Sequence, residues 1–166
     1  MQNDQFAADI AAAGNGEFLA LATDEGVVIS DSRTMQTQLF LATEEVSNLL
    51  VVIARDSRTV IAGGDDGSIR VWKLPQQEPI HILRGHSEPV SGIAFVDSDR
   101  RLVSCSMDGT LRLWNLKDGV EEQSVTVDSG TIEAMCVTPD GKTLISNDHN
   151  KLEFRPLESN SRRRRR

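Results

Sequence analysis

The heptapeptide Asp66-Gly67-Ser68-Ile69-Arg70-Val71-Trp72 recurs 42 residues later as Asp108-Gly109-Thr110-Leu111-Arg112-Leu113-Trp114. Another step of 42 back from Trp72 lands on Ser30-Asp31, behind Gly26-Val27-Val28-Ile29. A step of 41 forward from Trp114 lands on Arg155, behind Asn150-Lys151-Leu152-Glu153-Phe154. One supersecondary unit is therefore copied four times along the chain. No long helix fits inside such a period.

The unit itself reads as four strands. In the third copy, Pro89 to Phe95 is a first strand, Asp97-Ser98-Asp99-Arg100 a turn, and Leu102 to Ser106 a second strand. Asp108-Gly109 is a tight hairpin signal, Thr110 to Trp114 the third strand, and Ser124 to Val127 the outermost. The first three strands are apolar at positions of both parities, as a sheet covered on both faces requires. The second copy superimposes without a gap through Leu49 to Ile53, Val60 to Ala62, Ser68 to Trp72 and Pro79 to Leu83. In the first, Phe6 to Ala11, Phe18 to Leu21, Gly26 to Ile29 and Gln38 to Leu41 take the same places. The fourth supplies Thr131 to Val137, Thr143 to Ser146 and Leu152 to Arg155. The expected fold is all-β: a propeller segment of four blade-length units, near residues 1–42, 43–84, 85–127 and 128–157.

By the seven residues between Trp114 and Glu121, the outer strand of the fourth unit would begin at Arg162. Arg162, Arg163, Arg164, Arg165 and Arg166 repel one another and solvate, so residues 158–166 read as a disordered tail. Three complete sheets and one three-stranded sheet result. Met1 to Gln5 align with Gly85 to Pro89, so the chain begins on an innermost strand and no strand is left over to complete the last sheet. An unpaired sheet edge is a liability that proteins cover. Self-association, or completion by another propeller segment, is the expected cover.

Charge is segregated. The net charge is −7, and the terminal arginines contribute +5, so the other 161 residues carry −12. An acidic body does not suit a general nucleic-acid binder. The tail is open between a cloning remnant, a nuclear-import or RNA-contacting segment, and a solvated end. There is no long uncharged apolar run to cross a membrane. Phe6 to Ala13 lacks the basic flank and length of a signal peptide. Two cysteines, Cys105 and Cys136, do not make a disulfide framework, and point to a reducing cytoplasmic or nuclear setting.

The third unit carries the residues that resemble a known family. Gly85-His86, Ser104, Asp108 and Trp114-Asn115 resemble the WD40-repeat pattern, and the likeness runs over about residues 1–157. The resemblance implies a buried chain of hydrogen bonds through His86, Ser104, Asp108 and Trp114, which suits groups that need partners once desolvated. Other units depart from it. The second keeps Asp66 and Trp72, with Glu44 in the His position and Ala62 in the Ser position. The first keeps Asp24 and Asp31 but has Ser30 for the Trp, and the fourth has Arg155-Pro156. Neither Trp72-Lys73 nor Trp114-Asn115 is a Trp-Asp.

His86, Ser104 and Asp108 also match a hydrolase triad by residue type. A relay that ends on an indole, with its Ser inside a strand, does not serve a nucleophile. His81, His86 and His149 lack metal spacing, and Gly63-Gly64-Asp65-Asp66-Gly67 is an acidic hairpin, not a phosphate loop. Neither enzyme activity nor a cofactor or metal is expected.

The resemblance implies a non-enzymatic interaction scaffold that binds partner proteins through loops at the narrow end of the blades. Carried over, those positions are Asp65, Met107, Ser87 and Glu88; an exposed Met among carboxylates suits an apolar anchor with a basic rim. Ile29-Ser30-Asp31-Ser32-Arg33 is similar to the box by which some family members engage the adaptor of a cullin ubiquitin ligase, with Asp31 and Arg33 matching. The alternatives to a plain scaffold are an RNA-processing or ribosome-assembly factor that uses the Arg tail, a cullin substrate receptor, and a fragment of a longer propeller protein.

Overall fold

A computed structural model describes residues 7–43, 46–127, 130–148 and 151–157. Strands β1 (Asp9–Ala12), β2 (Phe18–Ala22), β3 (Gly26–Asp31) and β4 (Thr37–Ala42) form the first antiparallel sheet, paired in chain order. The second holds β5 (Asn48–Ile53), β6 (Thr59–Gly64), β7 (Ile69–Lys73) and β8 (His81–Leu83). The third holds β9 (Val90–Val96), β10 (Arg101–Ser106), β11 (Thr110–Asn115) and β12 (Val120–Thr126). Among the described residues the fourth has three strands: β13 (Ala134–Val137), β14 (Thr143–Asp148) and β15 (Lys151–Pro156). No helix occurs among the described residues, and none is long and apolar enough to cross a membrane.

The sheets pack face to face in chain order, with each innermost strand against the next: β1 on β5, β5 on β9, β9 on β13. Both faces of the central strands are therefore covered, and β6 and β10 are buried at nearly every position. Three apolar clusters fill the three junctions. Ala20, Val27, Ile29 and Leu41 meet Val51, Val60 and Trp72 between the first two sheets. Ile61, Ile69, Val71 and Leu83 meet Val90, Leu102 and Trp114 in the next. Val103, Cys105 and Leu111 meet Ile132, Leu144 and Met135 in the third. Each fully buried aliphatic side chain in these layers contributes about 1.5–3 kcal/mol.

The second and third sheets share one register throughout. Val51 pairs Ala62 and Ala62 pairs Arg70; 42 residues on, Ile93 pairs Ser104 and Ser104 pairs Arg112. The first sheet departs from this spacing. Leu21 pairs Val28 and Ile10 pairs Leu21, which puts Ile10 and Leu21 in the places of Val51 and Ala62 at a spacing of 41. Its central hairpin is one residue shorter, closed by the Thr23 N–H and hydroxyl donating to the Gly26 carbonyl.

Several strand limits move for identifiable reasons. β9 begins at Val90, because Pro89 has no N–H to give to a ladder, and β8 at His81, not Pro79. β12 begins at Val120 instead of Ser124, because Gly119 (φ 68°) closes a tight turn back to Asn115. Its Asp118-Gly119 dipeptide is the same hairpin signal as Asp108-Gly109. β13 begins at Ala134 instead of Thr131. The stretch before it is committed to the third sheet: the Ile132 N–H donates to Ser106, and the Ser91 hydroxyl donates to the Ile132 carbonyl. The expected start of β1 at Phe6, the Glu44 position, the Asp128 boundary, His149 and Arg162 to Arg166 lie outside the described residues.

Candidate functional site

Adjacent strands β10 and β11 pair Leu102 with Trp114 and Ser104 with Arg112, which sets the Ser104 side chain beside the indole. The indole N–H of Trp114 donates to Ser104 Oγ at 2.8 Å, and Ser104 Oγ lies 2.7 Å from His86 Nε2. Nδ1 of His86 reaches Asp108 Oδ2 at 3.1 Å and Thr110 Oγ1 at 3.0 Å. One set of protons satisfies the whole chain. With its oxygen taken by the indole, the Ser104 hydroxyl donates to Nε2, and the Nδ1–H donates to Asp108. Thr110, which the sequence reading did not include, adds its hydroxyl to Asp108 Oδ1 at 2.7 Å. Ser106 is a second omission: fully buried, its hydroxyl donates to the Glu88 carbonyl and accepts from the Asp108 N–H.

Burial lowers the His86 pKa, partly opposed by Asp108, so the ring is neutral near pH 7. Burial pushes Asp108 up, but hydrogen bonds from the Thr110 side chain and the Ser87 and Thr110 N–H groups outweigh it, and the carboxyl sits below its ordinary value. Ser104 is 0% exposed. A hydroxyl sealed under an indole cannot meet a substrate, so the triad-like residue set has no nucleophile to offer. Among the described residues, no group of His, Cys, Asp or Glu is placed to hold a metal ion.

The relay fastens a loop. Asp108 Oδ2 accepts the Ser87 N–H at 3.0 Å, and the Met107 N–H donates to the Pro89 carbonyl at 3.1 Å. The loop of residues 85–89 is thus tied to the β10–β11 hairpin at both ends. The preceding hairpin abuts it: Gly67 has φ 73°, and a Cβ there would lie 2.6 Å from the His86 carbonyl oxygen. Only glycine fits that approach. Asp65, Ser87, Glu88 and Met107 are all exposed along this one edge, with Met107 47% accessible. The second sheet reaches the same edge with other chemistry. Asp66 accepts from the Ser68 N–H and hydroxyl, and nearly buried Arg70 spans Ser68 and Asp66 at 2.5 and 3.3 Å. Among the described residues Trp72 there has no hydrogen-bond partner for its indole N–H, because Ala62 stands where Ser104 stands in the third sheet.

Asp31 and Arg33 occupy the opposite end, just past β3. The Asp31 carboxylate accepts the Thr34 and Arg33 N–H groups at 2.7 and 3.0 Å, which lowers its pKa. It is the keystone of a turn, while Arg33 is exposed. At this end, too, a cleft of about 1300 Å³ that no motif announces opens between the second and third sheets, and its lining includes Asp56, Lys73, Asp97, Arg101 and Glu122. Within it Lys73 pairs with Asp56, and Arg101 with Asp97 and Glu122.

Residues 52–147 match the family model described as the WD repeat-containing protein 75 first beta-propeller. The chain is 37% identical over 78 residues to human Striatin-4 (Homo sapiens), covering 40% of this chain and 10% of that protein. It is 40% identical over 70 residues to WD repeat-containing protein 75 of Danio rerio, covering 42% and 8%. To the SIR4-interacting protein SIF2 of Saccharomyces cerevisiae it is 29% identical over 110 residues, covering 64% and 20%. The chain therefore spans between 8% and 20% of the length of these relatives.

Proposed function

Because the chain belongs to the WD-repeat β-propeller family, we propose that it is a non-enzymatic interaction module that holds a protein partner on the edge carrying Asp65, Ser87, Glu88 and Met107. The observation that carries this reading is the bracing of that edge. A buried relay fixes Ser87 and Met107 from below, so the contact surface is ordered before a partner arrives and little entropy is lost on binding. An accessible Met within a rim of carboxylates matches an apolar side chain flanked by Lys or Arg. That one relative is named for the protein it interacts with supports the same class of role.

The test is fluorescence anisotropy with short peptides that carry one large apolar residue between basic residues, against acidic controls of the same length. The double variant Glu88→Lys, Met107→Asp should weaken the basic peptides by at least tenfold, on the order of 1.4 kcal/mol, without changing the melting temperature. Equal binding of acidic and basic peptides would count against the proposal.

Two finer alternatives use other residues. RNA contact through Arg162 to Arg166 predicts binding that falls steeply with salt and disappears with those residues. Docking to a ubiquitin-ligase adaptor through Asp31 and Arg33 predicts capture that is lost in Arg33→Ala.

A further inference from the structure

The cleft between the second and third sheets has one apolar wall and one basic wall. On the second sheet, the Ile80 N–H donates to the Val71 carbonyl at 2.7 Å, and both residues line the opening. Val71 is 1% exposed, whereas Ile80 stands free at 48%. On the third sheet, the Leu116 N–H donates to the Arg100 carbonyl at 3.1 Å. That bond brings Arg100, half-buried Leu116 and Lys117 onto one wall. The two walls are fastened to each other at the turns. The Asp99 carboxylate accepts the Arg55 N–H at 2.8 Å and lies 4.0 Å from its guanidinium. An opening held in this way needs little rearrangement to admit a ligand.

The charges in the cleft do not cancel once their partners are assigned. Asp56 holds Lys73 together with the Arg58 and Thr59 N–H groups. Asp97 and Glu122 share Arg101, and Asp99 is taken by Arg55. Every carboxylate of the lining is thus engaged. Arg100 and Lys117 are exposed, and among the described residues neither pairs with a carboxylate. Two positive charges remain, on the wall that faces the apolar one.

We infer that this cleft binds an extended acidic segment of a partner protein, with one apolar side chain against Ile80 and Leu116 and two carboxylates beyond it on Arg100 and Lys117. Such a ligand supplies the two charges that the lining leaves unmatched. Its acidic residues lie on one side only. A second acidic flank would run toward the second sheet, where Asp56 stands with Lys73 already engaged. A nucleic acid fits less well, because a long polyanion would continue onto a body that carries −12 outside the terminal arginines. The inference does not rest on the edge that carries Met107, which prefers the opposite charge.

The test is fluorescence anisotropy of the whole chain with a labelled Gly-Ser peptide that carries one Leu followed by two Glu. Arg100→Glu with Lys117→Glu should weaken binding by about tenfold and leave the melting temperature unchanged, since the hydrogen bonds at both positions are made by the backbone. Exchanging the Leu for Ser, or placing a Glu on each side of it, should weaken binding of the unaltered protein to a similar degree, and added salt should weaken it further. Glu88→Lys with Met107→Asp should leave this binding as it is, which separates the cleft from the other edge. Full binding by the Arg100, Lys117 variant, or loss in the Glu88, Met107 variant instead, would overturn the assignment. So would indifference to the peptide changes, which holds the proposal to account even if a protein variant fails to fold. An unaltered chain that binds no peptide at about 1 mM would also overturn it. Displacement of the peptide by an equal concentration of single-stranded RNA would make the cleft a nucleic-acid groove and reject the protein partner.

Discussion

Trp114 and Ser104 face each other across one strand pair with the indole N–H 2.8 Å from the hydroxyl, and the same pair of positions in the preceding sheet is Trp72 and Ala62, where the indole finds no acceptor among the described residues. At this pair of positions the two sheets thus differ in one oxygen. Burying an N–H without an acceptor costs about 1–3 kcal/mol, and the second sheet carries that cost because apolar packing around Trp72 outweighs it. Ser104→Ala should therefore destabilise the protein by about 1–3 kcal/mol, since it strands both Trp114 and His86. Ala62→Ser should do the reverse, raising stability by about 0.5–1.5 kcal/mol through the new acceptor. Denaturant titrations of the two variants check this. A destabilised Ala62→Ser would show that the second sheet has no space for the hydroxyl.

The relay makes stability depend on pH through His86. Its folded pKa is depressed by burial, so the unfolded chain binds a proton that the folded chain refuses. The stabilising contribution is complete above the unfolded value near 6.5 and is lost as pH falls through the folded value. Asp108 acts in a separate window. Its folded pKa is also lowered, so its contribution is complete above about pH 4 and is lost below it. Unfolding free energy should therefore drop between pH 7.5 and 5.5 in the unaltered chain. In His86→Asn that slope should shrink, with a lower stability at pH 7.5. An unchanged slope would assign the drop to other groups.

Asp108→Ala and His86→Ala should each cost about 1–3 kcal/mol, because their partners stay buried without them. Glu44→Ala, at the His position of the second unit, should cost much less, since Ala62 cannot pass a hydrogen bond on to Trp72. Equal losses of melting temperature at the two positions would contradict this account of the relay.

Glycines in left-handed turns separate strain from crowding. Gly109 has φ 76°, and a Cβ there would lie 2.0 Å from the Gly130 carbonyl oxygen, between the third-sheet hairpin and the chain entering the fourth sheet. Gly141 has φ 69° with nothing within 4 Å. Gly141→Ala should cost only the left-handed strain, about 1–2 kcal/mol. Gly109→Ala adds a backbone collision that only separation of the two segments relieves, so its loss of melting temperature should be clearly larger. Equal losses would show that the segment around Gly130 yields freely.

How much of this was legible follows from what repeats and what does not. The period, the Asp-Gly hairpins and the Trp positions recur, so the four sheets and their strand order could be read from the sequence. His86, Ser104, Asp108 and Trp114 stood out because the third unit alone keeps all four. Thr110 and Ser106 did not, since a hydroxyl beside a turn Asp is ordinary in sequence and becomes part of the network only when the loop of residues 85–89 closes over it. The one-residue slip of β1 and β2 was hidden because the alanine-rich run Ala7 to Ala13, with Asp9 and Ile10 within it, has no alternation and fits either register. Arg70 carried no signal beyond its place in the repeated heptapeptide. Its burial against Asp66 and Ser68 depends on the turn at Gly64, where a Cβ would stand 2.6 Å from Asp66 Oδ1, the carboxylate that Arg70 pairs with.

Asp31 and Arg33 test whether a sequence likeness at the end of β3 is structural or a contact. The Asp31 carboxylate holds two backbone N–H groups and the Thr34 hydroxyl, so Asp31→Ala opens the turn that leads into β4. Its lowered pKa means that this turn holds at neutral pH and weakens as pH falls through the folded value, below the ordinary carboxylate range. Arg33 gives the turn its N–H and sends its side chain to solvent, so Arg33→Ala should leave the melting temperature unchanged. The two variants therefore divide the outcomes of an adaptor pull-down. Loss of capture in Arg33→Ala, with melting intact, identifies a contact. Loss in Asp31→Ala alone, with a lower melting temperature that falls further in acid, identifies a turn that merely resembles the adaptor box.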